Sequence, residues 1–144
     1  MLLPDVNVLI YAHREDMPEH PRYAAWLKAR VESPEPFALS ELALSGFLRI
    51  VTNPKIFVDP TPLDRALRFV ELLTSRRNAV SLRPGPQHWS IFRELCLQSQ
   101  ARAGLIADAY HAALAIEHGC ELVSRDSDFA RFSGLRWSHP LRRT

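Results

Sequence analysis

The sequence predicts an α/β domain, a short and mostly parallel central β-sheet flanked by α-helices, in a single unit spanning residues 1–144. Three observations carry that expectation. Short apolar runs of strand length alternate with longer stretches of helical periodicity, the order that puts helical crossovers between parallel strands. A chain of 144 residues is long enough for one compact domain with a real hydrophobic core, and too short for two comfortable ones. No internal repeat, low-complexity tract or linker interrupts it, and the proline-rich pieces read as turns within one unit.

Each element follows from its residues. "MLLPD" reads as a strand, with Pro4 expected near its start or on a sheet edge because it brings no ladder donor. "VNVLIYAH" is a helical turn or two, stopped before "MPEHP". "PRYAAWLKARVES" is a helix with Pro21 at its first position, where the missing N–H does no harm, and "SPEP" breaks it. "FALS" is a second strand running straight into the helix "ELALSGFLRIVTN". "VDPTPLDRALRFVELLTSRRN" gives another helix, with Thr61 as the expected N-cap and Pro62 in the first turn. "AVSLRP" is a third strand and "PQHWSIFRELCLQSQ" an amphipathic helix. "GLIADAYHAALAIEHG" is the clearest helix in the chain, closed by Gly119. "CELVS" is a fourth strand, "RDSDFARFSG" a turn with a short helix, and "LRWSHP" a final strand.

The apolar fraction of 47% and charged fraction of 24% are ordinary for a folded globular chain and exclude a disordered one. A formal net charge of +2 permits a phosphate-rich ligand without demanding one. Cys96 and Cys120 form neither a disulfide framework nor a close pair of thiolate ligands, which fits a reducing cytoplasm. No signal peptide or run of transmembrane length is visible, so no membrane role is expected.

Acidic residues fall at the strand ends. Asp5 closes the first strand, Glu41 follows "FALS" directly, and Asp126 lies just after "ELVS". Carboxyl ends of parallel strands face one crevice, where ligands bind. Asp108 arrives by another route: the 3.6-residue period puts it on the helix face of Leu105, Ala109, Ala112 and Ala115, pointing toward the sheet. Glu41 has a comparable placement, with Leu44, Leu48 and Val51 following at helical intervals. One acid at a strand end ordinarily caps a helix or turn. Four acids assigned to one end of one sheet are a different matter, because crowded carboxylates raise each other's proton affinity.

A hard divalent cation resolves that repulsion. Mg²⁺ and Mn²⁺ take oxygen ligands, a few carboxylates plus waters, and leave room for substrate phosphate oxygens. No His-x-x-x-His or Cys-x-x-Cys spacing points to zinc. A cation held there activates water and offsets charge on a scissile phosphate, so the expected chemistry is phosphodiester hydrolysis. The competing readings are a Mg²⁺-dependent phosphatase, a phosphoacceptor receiver domain, and a non-catalytic RNA- or protein-binding module. A phosphatase with a covalent aspartate wants a second acid two residues after the first, where Asn7 stands; a receiver domain wants a lysine at a late strand end, where "ELVSRD" has none. No Gly-x-x-x-x-Gly-Lys phosphate loop is present.

The motifs "LLPDVNVLIYA", "SELALSGFLRIVTNPKIF" and "ADAYHAALAIEHGCELVSRDSDFARFSGLRW" carry a resemblance that runs nearly end to end. The chain resembles a PIN-domain ribonuclease, and specifically a VapC-type toxin of a bacterial type II toxin–antitoxin pair. That resemblance implies that Asp5, Glu41, Asp108 and Asp126 are the metal-binding catalytic acids, and that Asp128 is an auxiliary ligand or a positioner of metal-bound water. It further implies that Asn7 and Ser124 are polar neighbours orienting Asp5 and Asp126. The implied activity is Mg²⁺- or Mn²⁺-dependent endonucleolytic cleavage of structured transfer or ribosomal RNA. The implied partners are a VapB-type antitoxin, whose tail brings an arginine to the acids, and a second copy in a homodimer, with "LDRALRFVELL" as candidate interface. Arg49, Lys55 and Arg125 lie nearest the acids among cations able to contact RNA phosphates, while the remaining arginines, from Arg14 to Arg143, read mostly as solvated surface. Trp26, Trp89 and Trp137 read as core rather than base-stacking platforms, and His111 as a surface or interface residue.

Overall fold

The strand and helix order follows the alternation of the sequence. A computed structural model describes residues 1–142, and Arg143, one of the cations considered for RNA, lies outside the described residues. The strands are β1 (Leu2–Pro4), β2 (Phe37–Ser40), β3 (Ala79–Leu82), β4 (Glu121–Val123) and β5 (Arg136–Ser138). The helices are α1 (Val6–His13), α2 (His20–Glu32), α3 (Glu41–Val51), α4 (Leu63–Thr74), α5 (His88–Ser99) and α6 (Gly104–Glu117), with a short 3₁₀ turn at Ser127–Arg131. All five strands are parallel, in the order β3-β2-β1-β4-β5. This is the parallel α/β sheet that the alternation predicts.

Strand periodicity divides the core into two layers. Phe37 and Leu39 of β2 pack with Val8, Leu9, Tyr23, Phe47 and Val51 on the face covered by α1 to α4. Ala38 between them, with Leu3 and Leu122, packs under α5 and α6. Four of the buried positions on α6, Ala109, Ala112, Ala113 and Ala115, are alanines, which brings that helix close to the sheet. Truncating a fully buried side chain such as Phe47 to alanine is expected to cost about 3–5 kcal/mol.

Four residues depart from the expectations. Pro4 sits neither at a strand start nor on an edge, but at the end of the central strand. The Asp5 amide donates to the Val123 carbonyl at 2.8 Å, on the β4 side, so the amide that Pro4 lacks is one facing β2. Pairing of β1 with β2 accordingly reduces to the single register Leu2↔Phe37, whereas β1 pairs with β4 through three. Thr61 does not cap α4, since Pro62 holds that position without a side-chain bond; Thr61 is instead buried against His13 (3.2 Å) and Arg14 (3.2 Å). Arg14 is buried rather than solvated, held by Asp16 at 2.6 Å and stacked on Phe57 at 3.8 Å. Trp89 is 67% exposed and outside the core, because its helix presents that face to solvent while Leu95 packs inward.

Candidate active site

Parallel strands deliver Asp5, Glu41 and the Ser124–Asp126 segment to one edge of the sheet, following β1, β2 and β4 respectively. Because β1 lies between β2 and β4, this is where the chain's course diverges and a crevice opens. Asp108, on the second turn of α6, reaches the same crevice from above.

Asp5 is the most constrained of these acids. It caps α1, with Oδ1 accepting the Val6 amide at 2.8 Å. Its Oδ2 accepts from Ser124 Oγ at 2.8 Å and from Asn7 Nδ2 at 3.2 Å. Asn7 also donates to Ser124 Oγ at 3.1 Å, and its Oδ1 accepts the Arg125 amide at 3.2 Å. Ser124 Oγ in turn accepts the Asp126 amide at 3.0 Å, so its one donor and two lone pairs are all used. Asp126 caps the 3₁₀ turn through Oδ1 and the Asp128 amide at 2.8 Å, leaving Oδ2 open. Asn7 and Ser124 therefore tie the β1 and β4 ends into one polar network.

Burial, the largest influence on Asp5, favours its neutral form. Hydrogen bonding and charge from His111, with the bonds from Ser124 and Val6, outweigh burial and hold the carboxyl below its ordinary range. Asp108 goes the opposite way: burial, then the charges of Asp5 and Asp126, raise it from 3.8 to about 6, with His111 opposing and Asp128 adding to the rise. Two carboxylates in one crevice thus have proton affinities driven apart by their surroundings.

Glu41 is not drawn into this cluster. Its side chain is 69% exposed and pairs with Arg83 at 3.1 Å. The apolar face of α3 begins at Ala43 and Leu44 rather than at Glu41, because the first turn projects past the sheet edge and has no layer to bury it. Asp128 is exposed and pairs with Arg131 at 3.5 Å. Arg49 and Lys55 are exposed. Arg125 is half-buried, stacked over Tyr11 at 3.9 Å with Nε donating to the Tyr23 hydroxyl at 2.9 Å.

His111 is the residue that sequence reasoning missed. It is 3% exposed, not a surface group. Nδ1 lies 3.5 Å from Asp5 Oδ1, and Nε2 lies 3.1 Å from Ser40 Oγ, which caps α3 by accepting the Ala43 amide at 3.1 Å. The available signal was its spacing of three from Asp108, which places both on the inward face of α6. Ser40, His111 and Asp5 have the atom order of a nucleophilic triad. Ser40 is 1% exposed with its oxygen engaged in a helix cap, which suits a structural hydroxyl rather than a nucleophile.

The donor set suits a hard cation. The acids supply only oxygen, and among the described residues neither Asp108 nor Asp126 has a basic side chain within ion-pair distance. No three of the described histidines, cysteines and acids already stand close enough to hold an ion between them. Mg²⁺ retains several of its waters, so direct convergence of three side chains is not required of such a site. Beside the acids, a groove of about 960 Å³ runs between α3, α5 and α6, lined by Leu42, Phe92, Ile106 and Tyr110 and reaching Ser40 and Glu41.

Comparison with known proteins identifies the family. The PIN domain family model matches residues 2–135. The chain belongs to the PIN-domain family, among its VapC ribonucleases. It is 45% identical over 141 residues to ribonuclease VapC43 of Mycobacterium tuberculosis, covering 98% of this chain and 96% of that one. Ribonuclease VapC31 of the same organism is 41% identical over 140 residues, covering 97% and 99%. Among solved structures, VapBC2 from Rickettsia felis bound to a promoter DNA fragment superimposes with a TM-score of 0.69 at 17% identity, covering 96% of this chain and 97% of that one. Mycobacterium tuberculosis VapC20, a toxin that cleaves the sarcin–ricin loop, gives 0.68 at 13% identity, covering 94% and 99%. At those identities the structural likeness speaks for the fold, while the curated relatives place the chain among named ribonucleases.

Proposed function

We propose that this VapC-family protein is a Mg²⁺- or Mn²⁺-dependent endoribonuclease, the toxin of a VapBC toxin–antitoxin pair acting on structured transfer or ribosomal RNA. The observation that carries the reading is Asp108. It is half-buried at the edge where Asp5 and Asp126 also arrive, and burial with their two charges drives its carboxyl up, a crowding of oxygen donors that a hard cation would relieve. Asp5, Asp108 and Asp126 would hold the ion, with Glu41 and Asp128 at its edges. Bound there, Mg²⁺ or Mn²⁺ supplies activation of water and offsets the charge gathering on the scissile phosphate. The chain's own residues do the positioning: Asn7 and Ser124 aim Asp5, and the capping bond to Asp128 fixes Asp126 while leaving one oxygen open. Arg49, Lys55 and Arg125 are proposed contacts for RNA phosphates.

The VapB partner is supported by the VapBC naming of structures that share this fold. An antitoxin side chain bearing a guanidinium complements the uncompensated acids. A homodimer is supported by α4, which exposes Leu63, Leu67 and Leu72. Action in the cytoplasm is part of the proposal, as the family resemblance implies, and no described helix is long and apolar enough to cross a membrane. The phosphatase alternative is weakened by Asn7, which occupies the place of a second acid and is spent on Asp5, Ser124 and Arg125. The reading is tested with purified protein and total RNA: cleavage with Mg²⁺ or Mn²⁺ that stops with EDTA is expected, and cleavage indifferent to EDTA overturns it.

A further inference from the structure

We propose that His111 is a positioning residue of the acid cluster: an imidazole, locked in one tautomer between Asp5 and the N-cap of α3, that fixes the carboxylate of Asp5 for a cation. The inference rests on the metal-dependent reading of the site.

Counting hydrogens selects the tautomer of the neutral ring, the form without the charge that the protonated ring brings to Asp5. Ser40 Oγ already accepts the Ala43 amide, so the hydroxyl has one proton left to donate, and the ring nitrogen beside it is His111 Nε2 at 3.1 Å. If Nε2 accepts that proton, the ring N–H sits on Nδ1, which faces Asp5 Oδ1 at 3.5 Å. The Ser40 proton then has an acceptor, and the ring N–H faces the Asp5 carboxylate across a long contact. The opposite tautomer sets a lone pair against a carboxylate oxygen and leaves the Ser40 proton without an acceptor, which is costly for groups 3% and 1% exposed.

The geometry suits a support better than a catalyst. His111 is buried behind Asp5 and touches no open space where a substrate could lie. Asp5 Oδ2 is occupied by Ser124 and Asn7, whereas Oδ1 has only the Val6 amide and the long approach of Nδ1. Each oxygen thus faces two groups, Oδ1 across the longer contact, and His111 is what orients that side of the carboxylate. The same ring ties α6, which carries Asp108, to the cap of α3, which begins with Glu41.

Two near-isosteres separate the two contacts. Asparagine places its amide N–H where Nδ1 stands, so His111→Asn keeps the donor to Asp5; glutamine reaches the Nε2 position, so His111→Gln keeps only the link to Ser40. The experiment measures Mn²⁺ affinity by calorimetry on the full chain, well below each variant's own melting temperature, together with ¹⁵N chemical shifts of His111 in the metal-free wild type at mildly alkaline pH. The expected results are an Nδ1–H tautomer, about tenfold weaker Mn²⁺ binding by His111→Gln, and binding by His111→Asn within about threefold of wild type. A merely structural ring would lower the melting temperature of both variants and leave their Mn²⁺ affinities alike. Equal affinities in wild type and His111→Gln, or an Nε2–H tautomer, overturn the inference and leave the metal reading standing. A wild-type chain that binds no Mn²⁺ overturns both.

Discussion

The β1–β4 side and the β2–β3 side of the same crevice are built in different ways. On the first, Asp5, Asn7, Ser124 and Asp126 are joined by side-chain and backbone hydrogen bonds of 2.8–3.2 Å, mostly sheltered from solvent. On the second, Glu41 is exposed and meets one exposed cation, Arg83, at 3.1 Å. A shielded network keeps its geometry because each member is held by more than one partner. An exposed ion pair contributes little, since water and salt compete for both groups. One half of the crevice is thus set before any ligand arrives, and the other is free to move toward one.

That contrast can be broken in order of expected effect. Asp5→Asn should abolish RNA cleavage, a loss exceeding the about 10–100-fold typical of removing an outer hydrogen-bond partner, while circular dichroism shows the fold retained. Retained cleavage would make Asp5 a structural cap alone. Next, Ser124→Ala should lower kcat/KM by about 10–100-fold, because Asp5 Oδ2, Asn7 and the Asp126 amide lose a common partner at once. Ser40→Ala should cost far less activity, and a loss as complete as that of Asp5→Asn would revive a nucleophilic role for its hydroxyl.

Asp108 gives a pH test with a definite sign. Its folded carboxyl titrates near 6, above the ordinary 3.8, so folding takes up a proton between those values. The stability of the metal-free protein is therefore full below the ordinary value and declines as pH rises through about 6. Asp108→Asn should flatten that part of the melting-temperature profile and raise the melting temperature at neutral pH, and a wild-type profile no steeper than the variant's would refute the assignment. The smallest effect is expected at Arg83→Ala. Freed of its partner, Glu41 should leave the melting temperature almost unchanged and alter cleavage by less than about fivefold. A large change there would mean that the exposed side is held as firmly as the sheltered one.

The architecture was legible because local periodicity encodes it: "FALS" and the helix at Gly104–Glu117 needed nothing beyond their own residues. Asp5, Asp108 and Asp126 were legible for the same reason, as acids breaking an apolar pattern at strand ends and on a helix face. Glu41 broke that logic, since helical spacing says which residues share a face but not whether a layer lies opposite. Trp89 failed for that reason too, and Arg14 in reverse, a charge buried because Asp16 and Phe57 happen to enclose it. Pro4 in the central strand was unexpected because strand order is a long-range property; its missing amide is tolerated where β1 and β2 part.

By itself, the sequence determined the alternating α/β plan, the parallel sheet and three acids bound for one edge. These depend on hydrophobic period and chain direction, which neighbouring residues state locally. Tertiary structure alone decided which acids meet, that Ser124 binds Asp5 across 119 positions, and that His111 lies buried between Asp5 and Ser40. Hydrogen bonds of that span depend on distances set by the whole packed fold, and no local pattern carries them.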